Sequence, residues 1–179
     1  MKILLHICCG VCAGSVVEKL RLEGHHVTGY FFNPNIHPAE EYDKRLQVSI
    51  AVCNSFQVPL IAGEYHVTAW HNAVKGFEDE PEGGRRCEIC YRVRLMKTFN
   101  YMQQHDFYGY TTTLSVSPHK AASIVNKVGN DIGGDKFLQR DFKKQDGFKR
   151  ANEIARKLDI YRQHYCGCMY SLNNPPHVH

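Results

Sequence analysis

The chain opens with a nearly continuous apolar run, Lys2 to Ile7, that gives way at once to Cys8-Cys9-Gly10-Val11-Cys12. A short unbroken run of this kind is the pattern of a strand buried on both faces of a parallel sheet, which requires helices on each side. Gly10 breaks the run, and from Ala13 the apolar residues Ala13, Val16, Val17 and Leu20 recur at helical spacing until Gly24, a natural helix stop. In an open α/β sheet, ligands bind beyond the carboxyl ends of the strands, where helix N-termini also favour negative charge. Cys8, Cys9 and Cys12 therefore stand where thiolates are stabilised and could hold a metal or a redox centre.

Further strands are expected at His26–Phe32, Val58–Ala62 and Phe107–Leu114, each followed by helical periodicity. The helices are expected from Ala39 to about Phe56, as a short segment over Thr68–Val74, from about Arg86 to Gln104, and from Pro118 through Val128. That last helix would have Ser117 as N-cap and would bury Ala121, Ile124, Val125 and Val128. A final helix carries Phe148, Ala151, Ile154, Ala155 and Leu158 inward. Asn33-Pro34-Asn35-Ile36-His37-Pro38 reads as a rigid loop, Gly129–Gln139 as a loop, and Asp141–Gly147 as an exposed, partly basic one. Strands alternating with helices indicate an α/β fold with a parallel sheet, helices on both faces and a metal site at the carboxyl ends of the strands. No linker, low-complexity tract or repeat divides the chain, so residues 1–179 are expected to form a single domain. The start has neither the long apolar core of a signal peptide nor the ~20 apolar residues of a membrane helix, which leads to the expectation of a cytoplasmic protein.

That compartment decides how eight cysteines are read: in a reducing environment they favour metal ligation or redox catalysis over structural disulfides. Cys53 lies on the apolar stripe Tyr42, Leu46, Ile50, Cys53 and Phe56 and is expected to be a buried hydrophobe. On the Arg86–Gln104 helix, advancing ~100° per residue puts Cys87, Cys90, Tyr91 and Arg94 in one arc and Ile89, Val93 and Met96 opposite. The core is expected on the second face and the thiols on the first, a segregation that favours ligation. Cys166-Gly167-Cys168 brings two more thiols. Cys87 and Cys90 with this pair could complete a four-thiolate zinc site. An iron–sulfur cluster also takes four, leaving three for a second metal or redox chemistry; spacing does not choose between these, and a dithiol oxidoreductase stands behind them. His6 is expected in the core, and His66, His71 and His105 on the surface. His37, His119 and His164 sit in turns or beside a cysteine motif and are candidates for proton transfer or substrate binding. A net charge of +4 is compatible with a polyanionic partner.

Six motifs in order carry a resemblance. They are His6-x-Cys8-Cys9; Asn33 to Pro38 with Glu41-Tyr42 and Arg45; Arg86-Cys87-x-x-Cys90-Tyr91 with Arg94-Leu95; Thr113-Leu114 with Ser117-Pro118-His119-Lys120; Asp141-Phe142-Lys143-Lys144; and Tyr161-Arg162-Gln163 with Tyr165-Cys166-Gly167-Cys168. Together they resemble the cobalamin-independent epoxyqueuosine reductases of the QueH type, over almost the whole chain. Gly10-Val11 stands where that resemblance leads one to expect Ala-Pro. The resemblance implies a Rossmann-like (HUP-type) fold, a [4Fe–4S] cluster with an additional mononuclear iron, and reduction of epoxyqueuosine to queuosine at the wobble position of tRNA. The partners it implies are a tRNA carrying epoxyqueuosine and an external electron donor, with no membrane.

On this basis Cys9, Cys87, Cys90 and one of Cys166 or Cys168, taken as Cys168, are expected to hold the cluster. Cys8, Cys12 and Cys166 would border the second iron, and His37, Tyr91 or His119 would supply protons. Arg45, Arg94, Lys120, Lys143, Lys144 and Arg162 are the candidate tRNA contacts. Two alternatives are a zinc-stabilised tRNA-binding module without catalysis and a thiol–disulfide oxidoreductase using Cys8-Cys9 or Cys166-Gly167-Cys168. Neither accounts for seven thiols set among these motifs.

Overall fold

The apolar opening run forms the centre of a four-stranded parallel sheet in a computed structural model, which describes residues 1–173. The strands are β1 (Lys2–His6), β2 (His26–Phe31), β3 (Leu60–Ala62) and β4 (Gly109–Thr112), in the order β3-β2-β1-β4. Ile3 pairs in register with Val27 on one side of β1 and with Gly109 on the other. Alternation along β1 sends Ile3, Leu5 and Ile7 to one face and Leu4 to the other. The first face is covered by α1 (Gly10–Leu22), α2 (Ala39–Ser55) and α6 (Gly147–Lys157). The second is covered by α4 (Arg85–Gln104) and α5 (Ala122–Gly133). The remaining helices are α3 (Val67–Val74) and a short α7 (Met169–Asn173), the second of which the sequence pattern did not announce. No helix among the described residues is long and apolar enough to cross a membrane.

Helix α1 starts at Gly10, three residues earlier than its apolar periodicity, with Cys9 in extended backbone as its N-cap. Gly10 lies so close to α2 that a β-carbon there would stand 2.6 Å from Val48 Cγ1 and 2.8 Å from the Val48 carbonyl carbon and oxygen. The close crossing draws the thiol-rich turn down onto the second helix.

Four expectations about the connections are corrected. β4 ends at Thr112, because Thr113–Val116 turns into a 3-10 segment whose first free amide, Leu114 N–H, is capped by Thr112 Oγ1 at 3.1 Å. Ser117 does not cap a helix. It accepts from the His119 amide at 3.3 Å within a Ser117–Lys120 turn, and α5 begins only at Ala122, with an exposed Ala121 as N-cap. Of the segment Gly129–Gln139 expected as a loop, the first part is instead the end of α5, which closes at Gly133, and a 3-10 turn, Gly134–Lys136, follows. Within the Asp141–Gly147 segment, Phe142 is buried and its amide donates to Ser115 Oγ, so the loop is anchored rather than free.

The largest correction concerns α4. Its thiol-bearing arc is the inward face: Arg86, Cys87, Cys90, Tyr91, Arg94, Leu95, Thr98 and Met102 are buried, whereas Ile89 and Val93 are half-buried and Met96 is 40% exposed. Apolar periodicity misleads here because the buried face carries thiols, the Tyr91 and Thr98 hydroxyls and two guanidinium groups that bond backbone carbonyls, Arg86 those of Phe77 and Glu78 and Arg94 that of Cys90. Phe148 is likewise 37% exposed instead of inward. Cys53 and His6 are in the core as expected. Cys53 packs with Val52 and Phe31, and His6 bonds Thr112 Oγ1 at 2.8 Å and the Phe32 carbonyl at 3.2 Å. His66 and His105 are exposed, but His71 is half-buried against Trp70 and His37.

Candidate metal centre and substrate cavity

Two segments follow the carboxyl ends of adjacent strands, Cys8–Cys12 after β1 and Thr113–Lys120 after β4, and Thr113 joins them. Its hydroxyl accepts from the Cys8 amide at 3.0 Å and donates to Cys8 Sγ at 3.2 Å. Cys8 and Cys9 have their sulfurs 4.0 Å apart. Hydrogen bonds from Cys12 and then Cys9 hold the Cys8 thiol well below its ordinary pKa, with further help from the Lys120 charge. Cys12 is pushed up by Cys8, Cys9 and burial. Cys9 is pushed up to about 11 by Cys8 and burial, although its hydrogen bond with Cys12 acts the other way. Of the three thiols, Cys8 is the one whose thiolate its neighbours favour.

The second group is assembled from distant segments. Cys87 and Cys90 lie one turn apart on α4, and their thiols are raised chiefly by burial. Cys87 Sγ accepts from the Gly83 amide at 3.2 Å. Cys90 shares a small apolar cluster with Cys168, Trp70 and Val74. The Trp70 indole Nε1 makes no hydrogen bond of ordinary geometry, yet it lies near enough to Cys90 to favour its thiolate. Cys166 is held well below the ordinary thiol range, first by Cys168 and then by Lys120, Arg94 and Arg45.

Arg94 and Lys120 connect the groups. Burial opposes charge on both, but the neighbouring thiols outweigh it, Cys90, Cys166 and Cys8 at Arg94, and Cys166 and Cys8 at Lys120. Arg94 donates through Nε to the Cys90 carbonyl at 3.2 Å, while its buried Nη2 has no partner. An orphaned guanidinium N–H beside three thiols is a donor waiting for an anion.

Part of both thiol groups, with Arg94 and Lys120, borders one cavity of about 350 Å³. Cys8, Cys9, Cys12 and Cys166 line it, and Cys87, Cys90 and Cys168 are not among its lining residues. Among the described residues, no group of three or more His, Cys, Asp or Glu side chains is spaced to hold a metal ion as it stands.

Of the candidate proton donors, His119 lines the cavity. Tyr91 is buried, stacked near Arg94, with its hydroxyl raised by desolvation; His37 lies outside the cavity lining against Trp70 and His71. His164 also lines the cavity.

Among the cations expected on the tRNA, Arg45, Arg94, Lys120 and Arg162 line the cavity. Arg45 is a strut: Nε bonds Glu41 at 2.7 Å, Nη1 the Cys166 carbonyl at 2.9 Å and Nη2 the Tyr165 carbonyl at 3.0 Å. Lys143 donates to the Lys120 carbonyl and to Asp141, and Lys144 lies exposed in a separate groove with Glu18 and Arg150. Residues that motif reading did not single out also line the cavity: Glu82, Phe148 and Asn152. The Glu82 carboxyl is raised by desolvation and then by Cys166. Of these only Phe148 figured in the sequence reading, as an inward residue of the last helix, and nothing there pointed to Glu82 or Asn152.

The family model described as epoxyqueuosine reductase QueH matches residues 3–174. The chain is 38% identical over 179 residues to a Streptococcus pyogenes protein named epoxyqueuosine reductase QueH, covering 95% of this chain and 70% of that one. A Haemophilus influenzae protein of the same name is 37% identical, with 97% and 72% covered, and one from Thermotoga maritima is 33% identical, with 95% and 90% covered.

Proposed function

The chain belongs to the epoxyqueuosine reductase QueH family, and we propose that it reduces epoxyqueuosine to queuosine at the wobble position of tRNA, the last step in making that nucleoside. The reaction removes the epoxide oxygen as water, breaks two C–O bonds, leaves an alkene, and consumes two electrons and two protons. The observation that carries this reading is a nucleoside-sized cavity lined by Cys8, Cys9, Cys12 and Cys166 together with Arg94 and Lys120. The strand order β3-β2-β1-β4 agrees with a Rossmann-like sheet, in which the crevice beyond the strand ends takes the ligand.

The donor set fits an iron–sulfur cluster with a neighbouring iron. Four thiolates hold such a cluster, which is itself several ångströms across, so its ligands stand farther apart than those of a single ion. Arg94 and Lys120 offset the negative charge, and the unpartnered Arg94 Nη2 suits an anionic neighbour. Cys87, Cys90 and Cys168, behind the cavity wall, with Cys9 as the least exposed thiol of the first turn, would hold the cluster. Cys8, Cys12 and Cys166, which line the cavity, would border the second iron. When bound, these centres would supply electrons singly and a Lewis-acid position for the epoxide oxygen.

The chain's own side chains do the rest. His119 lines the cavity and is the proton donor; Tyr91, kept neutral by burial, orders the wall beside Lys120. Lys120 meets the anticodon backbone and Lys144 a more distant phosphate, Arg162 meets the anticodon at the cavity lining, and Arg45 holds the cysteine loop. An external donor delivers the electrons.

Anaerobic purification followed by an optical spectrum and iron, sulfide and zinc analysis of one sample tests this reading. Brown protein with more iron than sulfide, active on tRNA bearing epoxyqueuosine, is expected. Stoichiometric zinc without iron or sulfide after attempted reconstitution would overturn it, as would activity from reversible disulfides with no metal.

A further inference from the structure

We propose that Phe148, Asn152 and Arg162 form a nucleobase platform at the cavity mouth, which stacks and hydrogen-bonds an unpaired base adjacent to the reacting nucleoside. The assignment rests on the tRNA reading above. It starts from a misfit on α6. This helix buries Ala151, Ile154 and Ala155 against the α1 side of the sheet, yet Phe148, in its first turn, stays 37% exposed and lines the cavity beside Val11 and Cys12. A solitary exposed apolar residue is ordinary in a folded protein and would mean nothing alone.

Its neighbours supply the meaning. Asn152 stands one turn further on the same stripe, and its Oδ1 accepts from Arg162 Nη2 at 2.6 Å. Arg162 arrives from the segment that leads to Cys166, so the fork is held between α6 and the cysteine loop, and all three side chains line the same cavity. Asn152 keeps its amide N–H groups, and Arg162 its Nε and Nη1, without another protein partner among the described residues. An aromatic face beside an amide and a guanidinium is the equipment with which proteins take bases out of a single strand: the ring stacks and the polar groups meet the base edge.

The cavity has room for one nucleoside. The neighbouring base of an anticodon loop must then lie at the mouth, where Phe148 is. A site for phosphate alone would have no use for the ring.

The test compares an anticodon stem-loop bearing epoxyqueuosine with the isolated epoxyqueuosine nucleoside, on metal-loaded enzyme. Phe148→Ala is expected to raise KM and Kd for the stem-loop about 10- to 100-fold, with a smaller change in kcat. Phe148→Tyr and Phe148→Trp should restore them, and the salt dependence of binding should be unchanged because no phosphate contact is lost. With the isolated nucleoside, which has no neighbouring base, Phe148→Ala should react like the parent enzyme. Parental stem-loop affinity in Phe148→Ala overturns the platform, as does failure of the aromatic variants to rescue, or an equal loss on the isolated nucleoside. If the parent enzyme itself neither binds nor reduces the stem-loop, the tRNA reading fails first and the platform with it. Near-ultraviolet circular dichroism of Phe148→Ala checks that the exposed substitution leaves the fold intact.

Discussion

The guanidinium of Arg45 reaches across 121 residues of sequence to donate to the carbonyl oxygen of Cys166 at 2.9 Å, while its Nε stays paired to Glu41 on its own helix. Glu41 in turn accepts from the Tyr161 hydroxyl at 2.8 Å, so one buried ion pair grips the C-terminal thiol segment at three points, Tyr161, Tyr165 and Cys166. Arg45→Ala would leave Glu41 buried without its partner and is expected to cost about 3–5 kcal/mol. Arg45→Lys keeps the charge but lacks the planar fork and should fall between the two. Denaturant unfolding and iron content report this, and iron loss should track the stability loss. Full iron binding in Arg45→Ala would show that the loop does not need its strut.

Gly167 makes that grip attainable. Its φ is +113°, and a β-carbon there would stand 2.8 Å from Arg45 Nη1 and 3.0 Å from Ile36 Cγ1. Gly167→Ala combines a strained backbone, at about 1–3 kcal/mol, with a collision against the strut. Lower iron occupancy and faster proteolysis of the Cys166 segment are expected; parental behaviour in both would contradict the argument.

At Gly10 the obstacle is the Val48 backbone, which cannot move aside as a side chain could. Gly10→Ala should force α1 away from α2 and cost about 1–3 kcal/mol, and the Cys9–Cys12 turn should be displaced with it. Val48→Ala should not rescue it, since the Val48 carbonyl remains. Thermal unfolding of the single and double variants distinguishes these outcomes.

Cys53 serves as the internal control for the thiols. It is buried among Val52 and Phe31, with its thiol pushed up to about 11 by burial alone. Cys53→Ala should lose about 1 kcal/mol of stability and no iron. Cys87→Ser should lose cluster absorbance and activity together. Retention of both by Cys87→Ser would remove that thiol from the centre.

Glu18 on α1 receives both Nη2 and Nε of Arg150 on α6, at 2.7 and 2.8 Å, and its carboxyl is held below the usual range first by those hydrogen bonds. The folded-state pKa is lowered, so the stabilisation is present above the unfolded carboxylate value and disappears as pH falls through the folded one. Because the pair is partly exposed, Glu18→Gln should lower Tm by only about 1–3 °C at neutral pH, less in high salt and not at all in acid. A Tm difference that persists in acid would assign the effect to packing.

The residue order alone determined the alternation of strands and helices, the turn that places Cys8, Cys9 and Cys12 after the first strand, and the core position of Cys53. Local periodicity and turn chemistry suffice for these, because each depends on neighbours a few residues away. The arc of Cys87, Cys90, Tyr91 and Arg94 was also legible, but not that it faces inward. Periodicity separates two faces of a helix and does not say which is buried when the buried one carries thiols and an arginine. That was decided by Cys166, Cys8 and Lys120, which arrive from three other segments and compensate the charge. Tertiary structure likewise turned Arg45 from a surface cation into a strut and left Phe148 at the cavity mouth, where α6 runs past the edge of its apolar support. Contacts between residues more than a hundred positions apart depend on how the chain closes on itself, and no window along the sequence contains both partners.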